Sequence, residues 1–421
     1  MNDNRNGSLK IVIVGHVDHG KSTLIGRLLM DNHGVEDDKV EAVKAICRGL
    51  NKEFEPAFLL DSLREEREKE MTIDTTQLHF STGKRRYTII DAPGHKEFIK
   101  NMVTGAAQAD HAMLIVDVTE GMKEQTRRHA YLLHLLGIKE IMVLINKMDR
   151  VGYAEGPYGR LKEELIAFLG AIGMDPIGFI PVSAKTGENI AKRSDRMRWF
   201  DGRSVIGSLD RLSIAKAREK RGILRFPIQD MYNVDGKDII VGQVEAGSMA
   251  AGDRVLVMPD RAAAAVKSIE VYAKPRKRTA RKGEAIGITL DPVSAAGDSV
   301  ASRGKVICKE GDTPSVTELI DATIFWASPE DHDIRDGLVL RCATQEVPCR
   351  IERIVSKMDS STLERLDDLK SIKETEVCDV VLRAERRVVI DDFSHVPELG
   401  RFALEKRRDM VAGGIVRMRR P

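Results

Sequence analysis

GHVDHGKS at residues 15–22 decides how this chain is read. It fits the pattern G-x-x-x-x-G-K-[ST]. It stands between the apolar run KIVIVGH (10–16), which predicts a buried strand, and STLIGRLLM (22–30), which can form a helix. A glycine loop between a strand and a helix is the setting in which that pattern binds phosphate. Gly15 and Gly20 permit the turn that aims successive backbone N–H groups at phosphate oxygens. The helix N-terminus adds partial positive charge at the same place. Lys21 is expected to reach the β- and γ-phosphates, and the Ser22 hydroxyl to ligate Mg²⁺. Val17, Asp18, His19 and Thr23 are expected to contact the nucleotide as parts of the same loop; neither His16 nor His19 is given a catalytic task.

Three further signals follow in chain order. DAPGH (91–95) ends a predicted strand, with Asp91 suited to hold the metal through water and the Gly94 N–H to meet the γ-phosphate. NKMD (146–149) ends another strand. Asn146 and Asp149 supply an amide and a carboxylate, and a carboxylate accepts from guanine N1–H and the 2-amino group, a pairing that adenine does not offer. Lys147 lies between them. SAK (Ser183, Ala184, Lys185) ends a later strand and is expected to support the base, with the Ala184 N–H near guanine O6. Short motifs at the ends of successive strands, where an open α/β sheet binds ligands, point together to GTP and GDP.

Hydrolysis needs a positioned water and charge stabilisation. In DSLREEREKEMTIDTTQLHF (61–80), Thr72 is the expected second protein ligand of Mg²⁺ when the γ-phosphate is present. A loop ordered by that contact and released on hydrolysis is a switch. His95 is expected to orient the attacking water. The charged run REEREKE reads as a solvated or partner-contacting helix.

The rest of the chain sets the architecture. Strands RRYTIID (85–91), HAMLIVDV (111–118), EIMVLIN (140–146) and GFIPVSA (178–184) alternate with helical patterns, one of them at 159–172. Continuous apolar strands between helices indicate a mainly parallel sheet covered on both faces. From about residue 222 the pattern becomes short strands and glycine turns, such as DIIVGQV, DRVLVMP and EAIGITL, with a second series from about 314. Those series suggest antiparallel barrels. The expected fold is an α/β P-loop GTPase domain over 1–195, a linker over 196–221, and two antiparallel β-barrel domains over 222–310 and 311–421.

Composition narrows the class. The 421 residues hold 67 basic and 65 acidic side chains, too even a balance for a bulk polyanion binder. Five cysteines without a CxxC pair read as buried thiols rather than a metal site. With no secretory pattern at the start and no run approaching a membrane span of roughly 18 apolar residues, a cytoplasmic protein without membrane contact is expected. KPRKRTARK (274–282) holds six basic residues in nine without interleaved aromatics, and reads as a solvated hairpin or partner contact before a phosphate-binding patch.

Taken together, GHVDHGKSTL, the threonine of EMTID, DAPGH, NKMD and SAK resemble the translational GTPase superfamily. The resemblance runs along the whole chain and implies a G domain followed by two β-barrels. By it, His95 is the water-positioning histidine, and Val17 with Met71 forms a hydrophobic gate that opens when a partner docks. Glu70–Met71 departs from the usual Gly-Ile. Two branches are similar. STLIGRLLMD, the stretch 125–153, ATIFWASPE (322–330) and SKMDSSTLERL (356–366) resemble the GTPase subunit of bacterial sulfate adenylyltransferase, which drives a catalytic subunit making adenylyl sulfate. His16, His19, DAPGHKEFIKNMVTGAAQAD and VPELGRFALEKRRDMVAGGIV resemble elongation factor 1-alpha and factor Tu, which deliver aminoacyl-tRNA to the ribosome. The first branch is the expected assignment, with a sulfurylase catalytic subunit as partner in a hetero-oligomer; aminoacyl-tRNA and the ribosome are the alternative partners.

Overall fold

The strand before the phosphate loop lies inside a sheet rather than at its edge. The computed structural model describes residues 8–32, 34–50, 53–69, 77–91, 109–138, 140–212, 223–234, 236–271, 277–292 and 301–417. Among them, β1 (Leu9–Gly15), β2 (Gln77–Ser81), β3 (Arg86–Asp91), β4 (His111–Asp117), β5 (Glu140–Asn146) and β6 (Asp175–Pro181) form one sheet in the order β2-β3-β1-β4-β5-β6. All neighbours are parallel except β2 and β3. Every residue of β4 is buried, as is every residue of β5 but the first. That explains why both read as unbroken apolar runs, since strands covered on both faces have no polar side to alternate. Ile11, Ile13, Ile115 and Leu144 are wholly excluded from solvent. Each such burial contributes about 1.5–3 kcal/mol.

The helices are α1 (Lys21–Asp31), α2 (Asp37–Gly49), α3 (Pro56–Lys69), α4 (Glu124–Leu135) and α5 (Glu155–Ala171). The helix expected at 159–172 is α5, whose buried Leu161, Leu165, Phe168 and Leu169 form the expected stripe. Most of the charged run REEREKE continues α3. Because the central strands are parallel, the ends of β1, β3 and β5 reach the same edge of the sheet, and the phosphate loop and the NKMD turn therefore meet.

The segment expected to be a linker from residue 196 is folded onto this unit through Leu212. In the short helix α6 (Val205–Leu209), Ser204 accepts the Gly207 N–H at 3.2 Å, and Val205, Ile206 and Leu209 join the core around β1. Trp199 donates its indole N–H to the Tyr153 carbonyl at 2.9 Å. The segment carries no long periodic pattern, and three apolar side chains suffice to dock it. The described residues up to Leu212, with residues 360–362, belong to one compact unit, and those from Ile223 onward otherwise belong to a second.

The second unit contains two barrels. β7 (Leu224–Val234), β8 (Lys237–Gln243), β9 (Ala246–Ala250), β10 (Arg254–Met258), β11 (Ala262–Glu270), β12 (Thr279–Arg281), β13 (Ala285–Pro292) and β14 (Val306–Lys309) form an eight-stranded sheet that curls until β7 meets β8. β15 (Ser315–Trp326), β20 (Glu376–Ile390), β18 (Gln345–Asp359), β17 (Leu338–Cys342), β21 (Arg401–Lys406) and β22 (Asp409–Val416) form a closed six-stranded barrel, and β16 (His332–Asp333) pairs with β19 (Ser371–Ile372) in a separate two-stranded sheet. Between the two cores, Leu256, Met258 and Cys308 of the first barrel pack on Val389, Val396 and Leu399 of the second. Arg225, 2% exposed, clamps the same junction. It donates to both carboxylate oxygens of Asp391 at 2.6 and 3.0 Å and to the Asp312 carbonyl at 2.8 Å. A buried, forked guanidinium–carboxylate pair is geometrically demanding and so fixes one docking of the barrels. All five cysteines are free and buried, in keeping with their reading as thiols. No helix among the described residues is long and apolar enough to cross a membrane.

Candidate nucleotide site

A cavity of about 630 Å³ opens where the strand ends converge. Its first wall is the phosphate loop. Gly15, Val17, Asp18, Gly20, Lys21, Ser22 and Thr23 all line it. Gly20 has φ +94°, the left-handed conformation that favours glycine, and starts α1. A Cβ there would come 2.4 Å from Asn146 Nδ2, so the close approach of the NKMD turn also requires glycine. Val17 is 64% exposed at the rim.

The opposite wall carries the residues expected to meet the base. Asn146, Lys147, Asp149 and Lys185 line it. Asn146 is 2% exposed and joins the two walls: its amide donates to the His19 carbonyl at 2.8 Å, and its Oδ1 accepts the Ala184 N–H at 2.9 Å. Ser183 donates its hydroxyl to Asp149 Oδ1 at 2.6 Å, which fixes the carboxylate's orientation. Lys147, in the left-handed region at φ +63°, sets its ammonium 2.7 Å from the buried Asp117 carboxylate. Burial would raise the Asp117 pKa, but Lys147 and Thr119 outweigh it and hold the carboxyl below its usual range.

Two expected contacts are placed differently. The His19 side chain is fully buried away from the cavity, Nδ1 3.4 Å from the Ile115 carbonyl and Nε2 3.8 Å from Glu120. Burial pushes its pKa down, and its backbone carbonyl accepts from Asn146. The Ala184 N–H, expected near guanine O6, is already donated to Asn146. Ser183 and Ala184 act from behind the wall, and Lys185 is the SAK residue that reaches the cavity.

Thr72, Gly94 and His95 lie outside the described residues, as does Met71, and Asp91 is described only as the last residue of β3. Of the three expected Mg²⁺ ligands, Ser22 is the one placed at the cavity. Its hydroxyl is a hard oxygen donor of the kind this cation takes, and one oxygen is a partial set that phosphate oxygens and water would complete.

The sequence reading missed several lining groups. Gln125 on α4 places its Oε1 2.6 Å from His16 Nδ1 and accepts the Val17 N–H at 3.3 Å, bracing the phosphate loop from a distant element. Glu55, just before α3, and Ala57, in its first turn, close part of the mouth. Glu53 pairs with Lys185 at 2.9 Å across the same side. No local spacing signals these residues, which meet the loop only through the fold.

A glycine phosphate loop facing an Asn-Lys-x-Asp turn, on a mainly parallel sheet and followed by β-barrels, defines a P-loop guanine-nucleotide-binding protein. Residues 6–258 match the elongation factor Tu GTP binding domain family, and residues 319–417 match the GTP-eEF1A C-terminal domain-like family. The chain is 37% identical to elongation factor 1-alpha of Methanopyrus kandleri over 97% of its own length and 96% of that protein's. It is likewise 37% identical to elongation factor 1-alpha of Pyrococcus woesei, covering 97% of this chain and 96% of the other. Among solved structures, sup35 complexed with GDP is 26% identical with a TM-score of 0.44, covering 98% of this chain and 94% of that one. The chain belongs to the translational GTPase family, binds GTP and GDP, and is a GTP hydrolase. The expected assignment to the sulfate adenylyltransferase branch gains no support from these relatives, which carry the elongation-factor name along their whole length.

Proposed function

We propose that this chain is a GTP-driven carrier that delivers aminoacyl-tRNA to the ribosome in the cytoplasm. The observation that carries this reading is the similarity to elongation factor 1-alpha across 97% of the chain, which takes in the barrels as well as the GTP-binding unit. A likeness confined to the first unit would speak for the nucleotide and leave the client open.

In this reading the phosphate-loop N–H groups and Lys21 hold the β- and γ-phosphates. Asp149 accepts from guanine N1–H and the 2-amino group, while Asn146 keeps the base and phosphate walls in register. Ser22, Thr72 and Asp91 would hold Mg²⁺, which when bound would neutralise charge on the phosphates. His95 orients the attacking water. Val17, which lines the cavity, and Met71 shield that water until the ribosome docks. The segment carrying Thr72 is held while the γ-phosphate is present, so hydrolysis releases it and, with it, the client.

The test is capture from the native cell with the tagged protein loaded with a non-hydrolysable GTP analogue or with GDP. Aminoacyl-tRNA recovered with the analogue and lost with GDP is expected. Recovery of a sulfurylase catalytic subunit in place of tRNA would overturn the proposal.

A further inference from the structure

We propose that Arg27 is a positioning residue for guanine recognition, a tether that aims the SAK loop at the base from the phosphate-binding helix. Arg27 lies on α1, a turn and a half beyond Lys21. Its guanidinium crosses to a loop more than 150 residues away in the chain: Nε donates to the Ala184 carbonyl at 3.3 Å and Nη2 to the Lys185 carbonyl at 2.5 Å. Asp31, one turn along α1, stands 3.6 Å from Nη1 and holds the fork in place. The loop lies in contact with it: at Gly187, with φ +85°, a Cβ would stand at ordinary contact distance, 3.5 Å, from Nη1.

The geometry has a consequence for the base. In a trans peptide the C=O and the following N–H point in opposite directions. Holding the Ala184 carbonyl toward α1 therefore turns the Lys185 N–H away from α1, on the side where Lys185 lines the cavity. The Ala184 N–H is taken by Asn146, which leaves the Lys185 N–H as the donor for guanine O6. Asn146 ties the loop by its N–H and Arg27 ties it by its carbonyls. The same helix that begins at the phosphates thus sets the O6 contact. Lysine could not replace Arg27 fully, because an ammonium offers a point charge where two adjacent carbonyls need a fork.

This inference rests on the reading of residues 183–185 as the guanine loop, and the experiment separates the two. Dissociation constants are measured for GDP, 6-thio-GDP and ADP with the wild-type protein, Arg27→Met and Arg27→Lys. Sulfur accepts N–H bonds weakly, so 6-thio-GDP probes the O6 contact while keeping N1–H and the 2-amino group. The wild type should favour GDP over both analogues. Arg27→Met should bind GDP about tenfold more weakly, the scale of one lost charge-assisted hydrogen bond, and its GDP over 6-thio-GDP ratio should fall toward one. Arg27→Lys keeps the charge beside Asp31, guards against a folding defect, and should narrow the ratio in part. A purely structural role would weaken both nucleotides equally, so an unchanged ratio in both variants overturns the proposal. A wild type that does not distinguish GDP from 6-thio-GDP overturns it too. A wild type that binds ADP as tightly as GDP refutes the guanine-loop reading itself.

Discussion

Replacing Asn146 with alanine should detach the base wall from the phosphate wall. The side chain makes two bonds, to the His19 carbonyl at 2.8 Å and from the Ala184 N–H at 2.9 Å. Asn146, His19 and Ala184 are 2%, 0% and 1% exposed, so water cannot take over without movement. A buried polar group left without its partner costs about 1–3 kcal/mol, or about 2–6 kcal/mol for the pair. In the empty protein both loops can shift toward solvent and recover part of that. With nucleotide bound they are pinned, so the cost falls mainly on the complex. A net loss of about 3 kcal/mol corresponds to GDP binding weakened roughly 150-fold. Asn146→Asp keeps the acceptor for Ala184 but sets a carboxylate against the His19 carbonyl, so its loss should be at least as large. The assay is equilibrium titration and displacement of a fluorescent GDP, with circular dichroism confirming a folded chain. GDP affinity within twofold of wild type in folded Asn146→Ala would refute the reasoning.

Three other substitutions test separate parts of the account. Asp149→Asn should shift preference from GDP to xanthosine diphosphate, whose 2-oxo group suits an amide donor; competition titration with an unchanged preference would remove Asp149 from base recognition. His95→Ala should slow single-turnover GTP hydrolysis with little loss of GTP affinity, and a wild-type rate would exclude the imidazole from water positioning. Glu245 sits near the barrel junction, where burial and then Glu398 raise its pKa to about 6 against Arg401 and Lys282. Its protonated form is favoured by folding, so its contribution is full below the ordinary value of 4.5 and is lost as pH rises through about 6. Glu245→Gln should therefore stabilise the chain above pH 6 by at most about 2 kcal/mol and leave it unchanged near pH 4.5, as read by thermal unfolding at several pH values. An equal shift at both pH values would contradict that origin.

The strands that carry the site were legible because burial leaves a plain mark. EIMVLIN was expected at 140–146 and β5 is Glu140–Asn146; HAMLIVDV was expected at 111–118 and β4 is His111–Asp117. Both have their two faces covered, so the five positions between the polar ends of each strand are all apolar. β6 was placed three residues late, because Asp175, Pro176 and Gly178 break the run and several of its positions are only partly buried. The amphipathic edge strand β2 and the docked helix α6 left no comparable signal. At the site, the motifs exposed Lys21, Ser22, Asn146 and Asp149 because each needs a fixed residue type at a fixed offset. Arg27, Gln125 and the Arg225–Asp391 clamp act across 157, 108 and 166 residues, and no spacing rule reaches so far. At His19 the motif gives the loop position but not the side chain's place: the ring is buried, and the carbonyl is held by Asn146.

The most direct measurement is the affinity of the purified chain for aminoacyl-tRNA in its two nucleotide states, read by protection of the aminoacyl ester from hydrolysis. The account predicts protection with GTP or a non-hydrolysable analogue, none with GDP, and no competition from deacylated tRNA. Equal protection in both states, or none in either, would contradict it.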